Sequence, residues 1–219
     1  MTTHSKTELG PHQGQQVFTA GRPLAEAQAA MILLHGRGAT AVSILELAKE
    51  LYHPAFTYLA PQATGNTWYP YSFLAPMAQN EPGLSSGLQA IADLVNQVEE
   101  AGIPTERIVL AGFSQGACLA SEFMARNARR FGGLLAFSGG LIGPPGTSRG
   151  YAGSLAGTPV FLGCSDVDFH IPLERVEETA VTLANLGANV NKQIYPNMGH
   201  TIVQAEIDQA NRIVQAILS

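Results

Sequence analysis

The chain has 219 residues, 46% hydrophobic and 13% charged, with a net charge of −5. That length suits one buried core and is short for two domains and a linker. The mild negative charge and the lack of any Lys/Arg run exclude an electrostatic nucleic-acid binder or a coat for anionic membranes.

No stretch approaches the roughly eighteen consecutive apolar residues of a membrane span. The first thirty residues lack the basic start and apolar run of a secretory signal. Two cysteines, Cys118 and Cys164, lie in apolar surroundings and read as small core residues rather than a disulfide framework. A cytoplasmic protein is expected, with residues 1–219 forming one domain and residues 1–14 a disordered tail.

In chain order, short apolar runs alternate with longer amphipathic ones. Strands are expected at Ala30–Leu34, Phe56–Leu59, Ile108–Ala111, Leu134–Phe137 and Val160–Gly163, all continuously apolar, as in a sheet covered on both faces. Val190–Tyr195 alternates and reads as nearer an edge. Helices are expected over Val42–Leu51, Leu84–Ala101, Gln115–Arg130, Leu173–Leu186 and Ile202–Leu218. The second carries a stripe of Leu88, Ile91, Leu94, Val95 and Val98, and stops at Gly102 and Pro104. This order predicts an α/β fold, a mostly parallel central sheet with helices on both faces. Segments 66–83 and 141–158, rich in Pro and Gly, have no helical period and read as long functional loops.

One motif carries chemistry. Gly112-Phe113-Ser114-Gln115-Gly116 follows the strand RIVLA and opens a helix, the strand–turn–helix context that a G-x-S-x-G nucleophile elbow needs. A serine at so tight a turn takes a strained backbone and lifts its hydroxyl above the sheet edge. The residues on either side of the turn approach closely, and only small ones fit. The helix behind it turns free N–H groups and a positive dipole end toward the substrate.

An elbow serine needs a base and an acid, in the order nucleophile, acid, base. Downstream of Ser114 only His170 and His200 remain. His200 follows the last strand and is the expected base, whereas His170 lies where the acid should be. For the acid, Asp166 and Asp168 both follow the strand VFLG, and spacing does not separate them. One oxyanion donor is expected from the Gln115 amide. The other is expected from the Arg37 amide in His35-Gly36-Arg37-Gly38-Ala39, after the strand AMILL. HGRGA lacks the spacing of a phosphate-binding loop. Neither cysteine occupies the elbow, and His and Cys are too scattered for a zinc site; no metal or organic cofactor is expected.

LLHGRGA, APQ followed by Trp68, GFSQGA, DFHIP and GH together resemble the phospholipase/carboxylesterase family, small α/β-hydrolases without a cap domain that include acyl-protein thioesterases. The resemblance runs from about Met31 to near the end. It implies an α/β-hydrolase fold, a Ser114–His200–Asp168 triad and backbone donors at Arg37 and Gln115. It favours Asp168 over Asp166 because the family's acid precedes a Val/Ile-Pro tail, here Ile171-Pro172. Two departures, HGRGA where the thioesterase branch resembles HGLGD and Phe169 in place of a common proline, point toward small-molecule esters.

The expected activity is therefore hydrolysis of small or medium-chain carboxylic esters through an acyl-enzyme. The alternatives are a long-chain thioesterase or lysophospholipase and, from another class, a non-catalytic ligand-binding relative. Trp68, Tyr71 and Phe73 are candidates for the substrate pocket, against the reading that these aromatics cover the core. The partners considered are a small-molecule ester and a second copy of the chain in a homodimer; neither nucleic acid nor stable membrane insertion is expected.

Overall fold

The computed structural model describes residues 10–219. Seven strands form one sheet: β1 (Val17–Gly21), β2 (Ala29–Leu34), β3 (Phe56–Pro61), β4 (Ile108–Phe113), β5 (Gly133–Phe137), β6 (Pro159–Ser165) and β7 (Asn189–Tyr195). Their spatial order is β1-β3-β2-β4-β5-β6-β7, all parallel except β1, which runs antiparallel to β3. This is the α/β-hydrolase arrangement, and no cap domain is inserted among the described residues.

The continuous apolar runs are continuous because both faces are covered. Successive side chains of a strand point to opposite faces. Ile32 and Leu34 of β2 and Leu110 of β4 thus join one core layer, while Met31, Leu33 and Val109 join the other. The first layer is closed by α3 (Gly83–Glu100), α4 (Gln115–Arg126) and α5 (Leu173–Asn185). The second is closed by α1 (Ala41–Leu45), α2 (Leu47–Glu50) and α6 (Gln204–Ala216). Among these helices none is long and apolar enough to cross a membrane.

Three sequence expectations need correction. The helix over Val42–Leu51 is two short helices, because at Glu46 the bonding tightens to Glu46 N–Ser43 O and Lys49 N–Glu46 O. The helix expected to reach Arg130 ends at Arg126, where the Asn127 side chain turns back to Phe123 O at 2.9 Å. The expected tail also fails where it can be seen. Residues 1–9 of it lie outside the described residues, but residues 10–14 form a docked turn with a buried His12. Its amide donates to Ser86 Oγ (2.8 Å), its Nε2 bonds Trp68 O (2.8 Å), and its Nδ1 accepts from the Thr64 amide (3.2 Å). Burial holds the His12 pKa below its ordinary value, so the ring is neutral, as this donor–acceptor pair requires. Strand β1 has no counterpart in the sequence reading; it is five residues of half-exposed edge with a weak alternation.

Candidate active site

The site sits at the carboxyl ends of the parallel strands, where open α/β sheets place their ligands. Ser114 occupies the sharp turn between β4 and α4 with φ 54° and ψ −117°, a strained backbone for a residue with a side chain. Its amide is anchored to Phe137 O at 2.9 Å. The flanking glycines are sterically required: a Cβ on Gly116 would lie 2.0 Å from Leu34 O, and one on Gly112 would lie 2.5 Å from the Gly116 backbone.

The loops after β6 and β7 bring two more groups to this serine. His200 Nε2 lies 2.9 Å from Ser114 Oγ, and His200 Nδ1 lies 2.7 Å from Asp168 Oδ2. Asp168 Oδ1 accepts the amides of His170 (2.8 Å) and Ile171 (3.0 Å). The Asp168 side chain has no solvent exposure. Burial alone would raise its pKa, but the His200 hydrogen bond and the two amides outweigh it and hold the carboxyl below its ordinary range. Asp166, the other sequence candidate, is exposed and accepts the Asn197 amide at 2.8 Å. Ser165 ties the two loops together by accepting the amides of Val167 and Gly199.

The HGRGA loop lies against the elbow: a Cβ on Gly36 would meet Ser114 Cβ at 3.4 Å. Among the described residues, the amides of Arg37 and Gln115 have no protein acceptor, leaving both for a ligand. A cavity of about 560 Å³ opens in front of Ser114, bounded by Arg37, Tyr69, Tyr71, Phe73, Cys118 and Ile171. A second, of about 450 Å³, opens on the other side of His200, against α1 and α2.

Tyr71 and Phe73 therefore reach the cavity, but Trp68 does not. It is fully buried, with Nε1 donating to His35 O at 2.9 Å and its ring packed between His12 and His35. Its indole serves the core and the HGRGA loop rather than the pocket. Besides Tyr71 and Phe73, the cavity is lined by Tyr69, Cys118, Ile171 and Phe113, whose ring packs 4.8 Å from that of His200. Periodicity marks Cys118 only as a core position of α4, and nothing local distinguishes Tyr69 from Trp68. Burial pushes the Cys118 thiol up to about 12, so it is no nucleophile at neutral pH.

A strained strand-to-helix serine with a histidine and a buried aspartate at hydrogen-bonding distance defines, on this sheet, an α/β-fold serine hydrolase. The family model described as Phospholipase/Carboxylesterase matches residues 18–218, and the chain belongs to that family. Its members hydrolyse carboxylic esters or thioesters, and this chain is an ester-hydrolysing serine hydrolase of that kind. Among solved structures it is similar to a phospholipase/carboxylesterase from Dyadobacter fermentans, with 45% identity and a TM-score of 0.88 over 94% of this chain and 97% of that one. It is also similar to an acyl-protein thioesterase 1 from Eremothecium gossypii, 28% identical over 88% of this chain and 89% of that one. An acyl-protein thioesterase 1 from Gibberella zeae is 29% identical over 63% of this chain, a match spanning only 59% of that relative.

Proposed function

We propose that the protein is a carboxylesterase that cleaves small and medium-chain carboxylic esters through a Ser114–His200–Asp168 triad. The observation that carries this reading is the continuous hydrogen-bonded chain from Ser114 Oγ through the His200 ring to Asp168. His200 Nε2 takes the Ser114 proton as Oγ attacks the ester carbonyl carbon. The oxyanion of the tetrahedral intermediate is held by the Arg37 and Gln115 amides. Collapse breaks the ester C–O bond, and the alcohol leaves with the proton returned by His200. A water deprotonated by His200 then attacks the acyl-serine, releasing the carboxylic acid and restoring the serine hydroxyl. Asp168, kept anionic by its bonds, fixes Nδ1 as the protonated nitrogen and stabilises the imidazolium.

The cavity bounded by Tyr71 and Phe73 takes the acyl group, and the space beside Ile44 and Leu47 across His200 takes the departing alcohol. A second reading, long-chain thioester hydrolysis, is favoured by the similarity to proteins named acyl-protein thioesterase 1. Labelling with a fluorophosphonate and peptide mapping should place the adduct on Ser114, and Ser114→Ala should lose about 10⁶-fold in kcat; esterase activity surviving in that variant refutes the mechanism. A nitrophenyl-ester series from acetate to palmitate decides between the readings. A short-chain optimum supports the esterase, and a rise continuing to palmitate supports the thioesterase.

A further inference from the structure

The two residues whose amides face the carbonyl also grip, with their side chains, one and the same stretch of chain. From the loop after β2, Arg37 Nη1 donates to Thr67 Oγ1 at 3.0 Å and to Pro70 O at 2.9 Å, and its Nη2 donates to Tyr71 O at 2.6 Å. From the first turn of α4, Gln115 Nε2 donates to Tyr69 O at 2.8 Å and its Oε1 accepts the Trp68 amide at 2.9 Å. The Thr67 hydroxyl stands between the two clamps. It accepts from Arg37 and lies 3.2 Å from Gln115 Oε1 and 3.0 Å from Tyr69 O.

Segment 67–71 belongs to no strand or helix, so side chains satisfy backbone groups that a ladder would otherwise pair. The same segment supplies the cavity wall at Tyr69, Pro70 and Tyr71. A backbone bond from Gly38 N to Asn66 O (2.8 Å) ties the residue just before this segment to the HGRGA loop. The guanidinium fork suits such spread acceptors better than a lysine ammonium, a single point donor on a flexible stem.

We propose that Arg37, Gln115 and Thr67 couple the acyl-pocket wall to the oxyanion hole, so that an acyl group filling the pocket seats the two donor amides around its carbonyl. This rests on the proposed esterase mechanism and adds to it that acyl length is read in kcat, not only in KM. The physical basis is that contacts remote from the reacting carbon raise kcat when they are realised as alignment in the transition state. Arg37 and Thr67 act in this role as positioning residues through their side chains; truncating the Arg37 side chain keeps its N–H as a donor and removes only the contacts that align it.

The test measures kcat and KM for nitrophenyl acetate, butyrate and hexanoate with the parent, Arg37→Ala, Arg37→Lys, Thr67→Val and the Arg37→Ala/Thr67→Val double variant. Thermal melts accompany each; Arg37 is exposed, and its variants should melt close to the parent. In the parent, kcat should rise with acyl length. In Arg37→Ala and Thr67→Val, kcat on the hexanoate should fall about tenfold, below the 10²–10³ of a lost oxyanion donor, and the acetate should fall less. Lysine should not restore the slope, low millimolar guanidinium should partly rescue Arg37→Ala, and the double variant should lose no more than the worse single. A parent whose kcat ignores acyl length, or variants that keep its slope and change only KM or melting temperature, would overturn the coupling. Residual activity in Ser114→Ala instead overturns the serine mechanism beneath it, so the two failures are distinguishable.

Discussion

Asp168, just beyond the end of β6, and Glu206, in the first turn of α6, are both buried carboxylates close to the same strand. Asp168 receives the His200 ring and two amides, with the Cys164 thiol 3.8 Å from Oδ2. Glu206 has one partner: Oε2 accepts the Val203 amide at 3.0 Å and caps α6, while Oε1 has none among the described residues. Oε1 lies so close to the β6 backbone that a Cβ on Gly163 would sit 2.1 Å from it. The outcomes are opposite. Asp168 is held below its ordinary pKa despite burial, and Glu206 is pushed up to about 7 by burial, with the Val203 amide opposing weakly. Burial is common to both, so partner number decides which form of the acid the fold keeps.

The strongest way to break this contrast is to remove the Asp168 charge. Asp168→Asn keeps the shape but cannot hold His200 with Nδ1 protonated, and on the proposed mechanism kcat should fall about 10⁴-fold with little change in KM. The sign of its pH linkage follows from the depressed pKa. Its stabilising contribution is complete above the unfolded value near 3.9 and is lost as pH falls through the lower folded value. Asp168→Asn melts should therefore converge on those of the parent at the most acidic pH at which both still fold.

For Glu206 the window is reversed. Between pH 4.5 and about 7 the folded carboxyl holds a proton that the unfolded chain has released, so this group's contribution falls as pH rises and levels off above 7. Glu206→Gln keeps an acceptor for Val203 and escapes that cost. Its melting temperature should draw level with the parent near pH 4.5 and exceed it by several degrees at pH 8, an upper value of ~3 kcal/mol. A gap that does not widen across that window would mean the carboxyl is better solvated than its position beside Gly163 implies.

The contrast also marks what could be read from sequence. Ser114 and His200 were legible because their constraints are local: a five-residue turn between a strand and a helix, and a histidine after the last strand. The continuous apolar strands were legible because two-sided burial writes itself into composition. The resemblance, through Ile171-Pro172, favoured Asp168, but spacing alone did not separate it from Asp166, since two residues on one loop differ only in how the chain bends, and that bend is held by the amides of His170 and Ile171 and by Ser165. Trp68 was ambiguous for the same reason. Adjacent aromatics of one irregular loop face the core and the cavity according to bonds from Gln115 and His35 that lie far off in sequence. Glu206 drew no notice in the sequence, and only the neighbouring β6 backbone makes its second oxygen unusual.

The smallest expected effect is also the sharpest control on the acid. Asp166 is exposed, and its Oδ1 holds the Asn197 amide in the loop that leads to His200. Asn at 166 retains that acceptor and loses only an exposed charge, so Asp166→Asn should change stability by less than ~0.5 kcal/mol and leave kcat within about twofold of the parent. Asp166→Ala deletes the acceptor, and the freed Asn197 amide is exposed enough to find water, which limits the cost to about 1 kcal/mol. Its kcat should then fall modestly, through the His200 loop, without approaching the loss in Asp168→Asn. Were Asp166→Asn to lose activity as deeply as Asp168→Asn, the pairing of His200 with Asp168 would not be the one that operates in turnover. Equal and shallow losses at both positions would instead point to a histidine that needs no carboxylate to orient it.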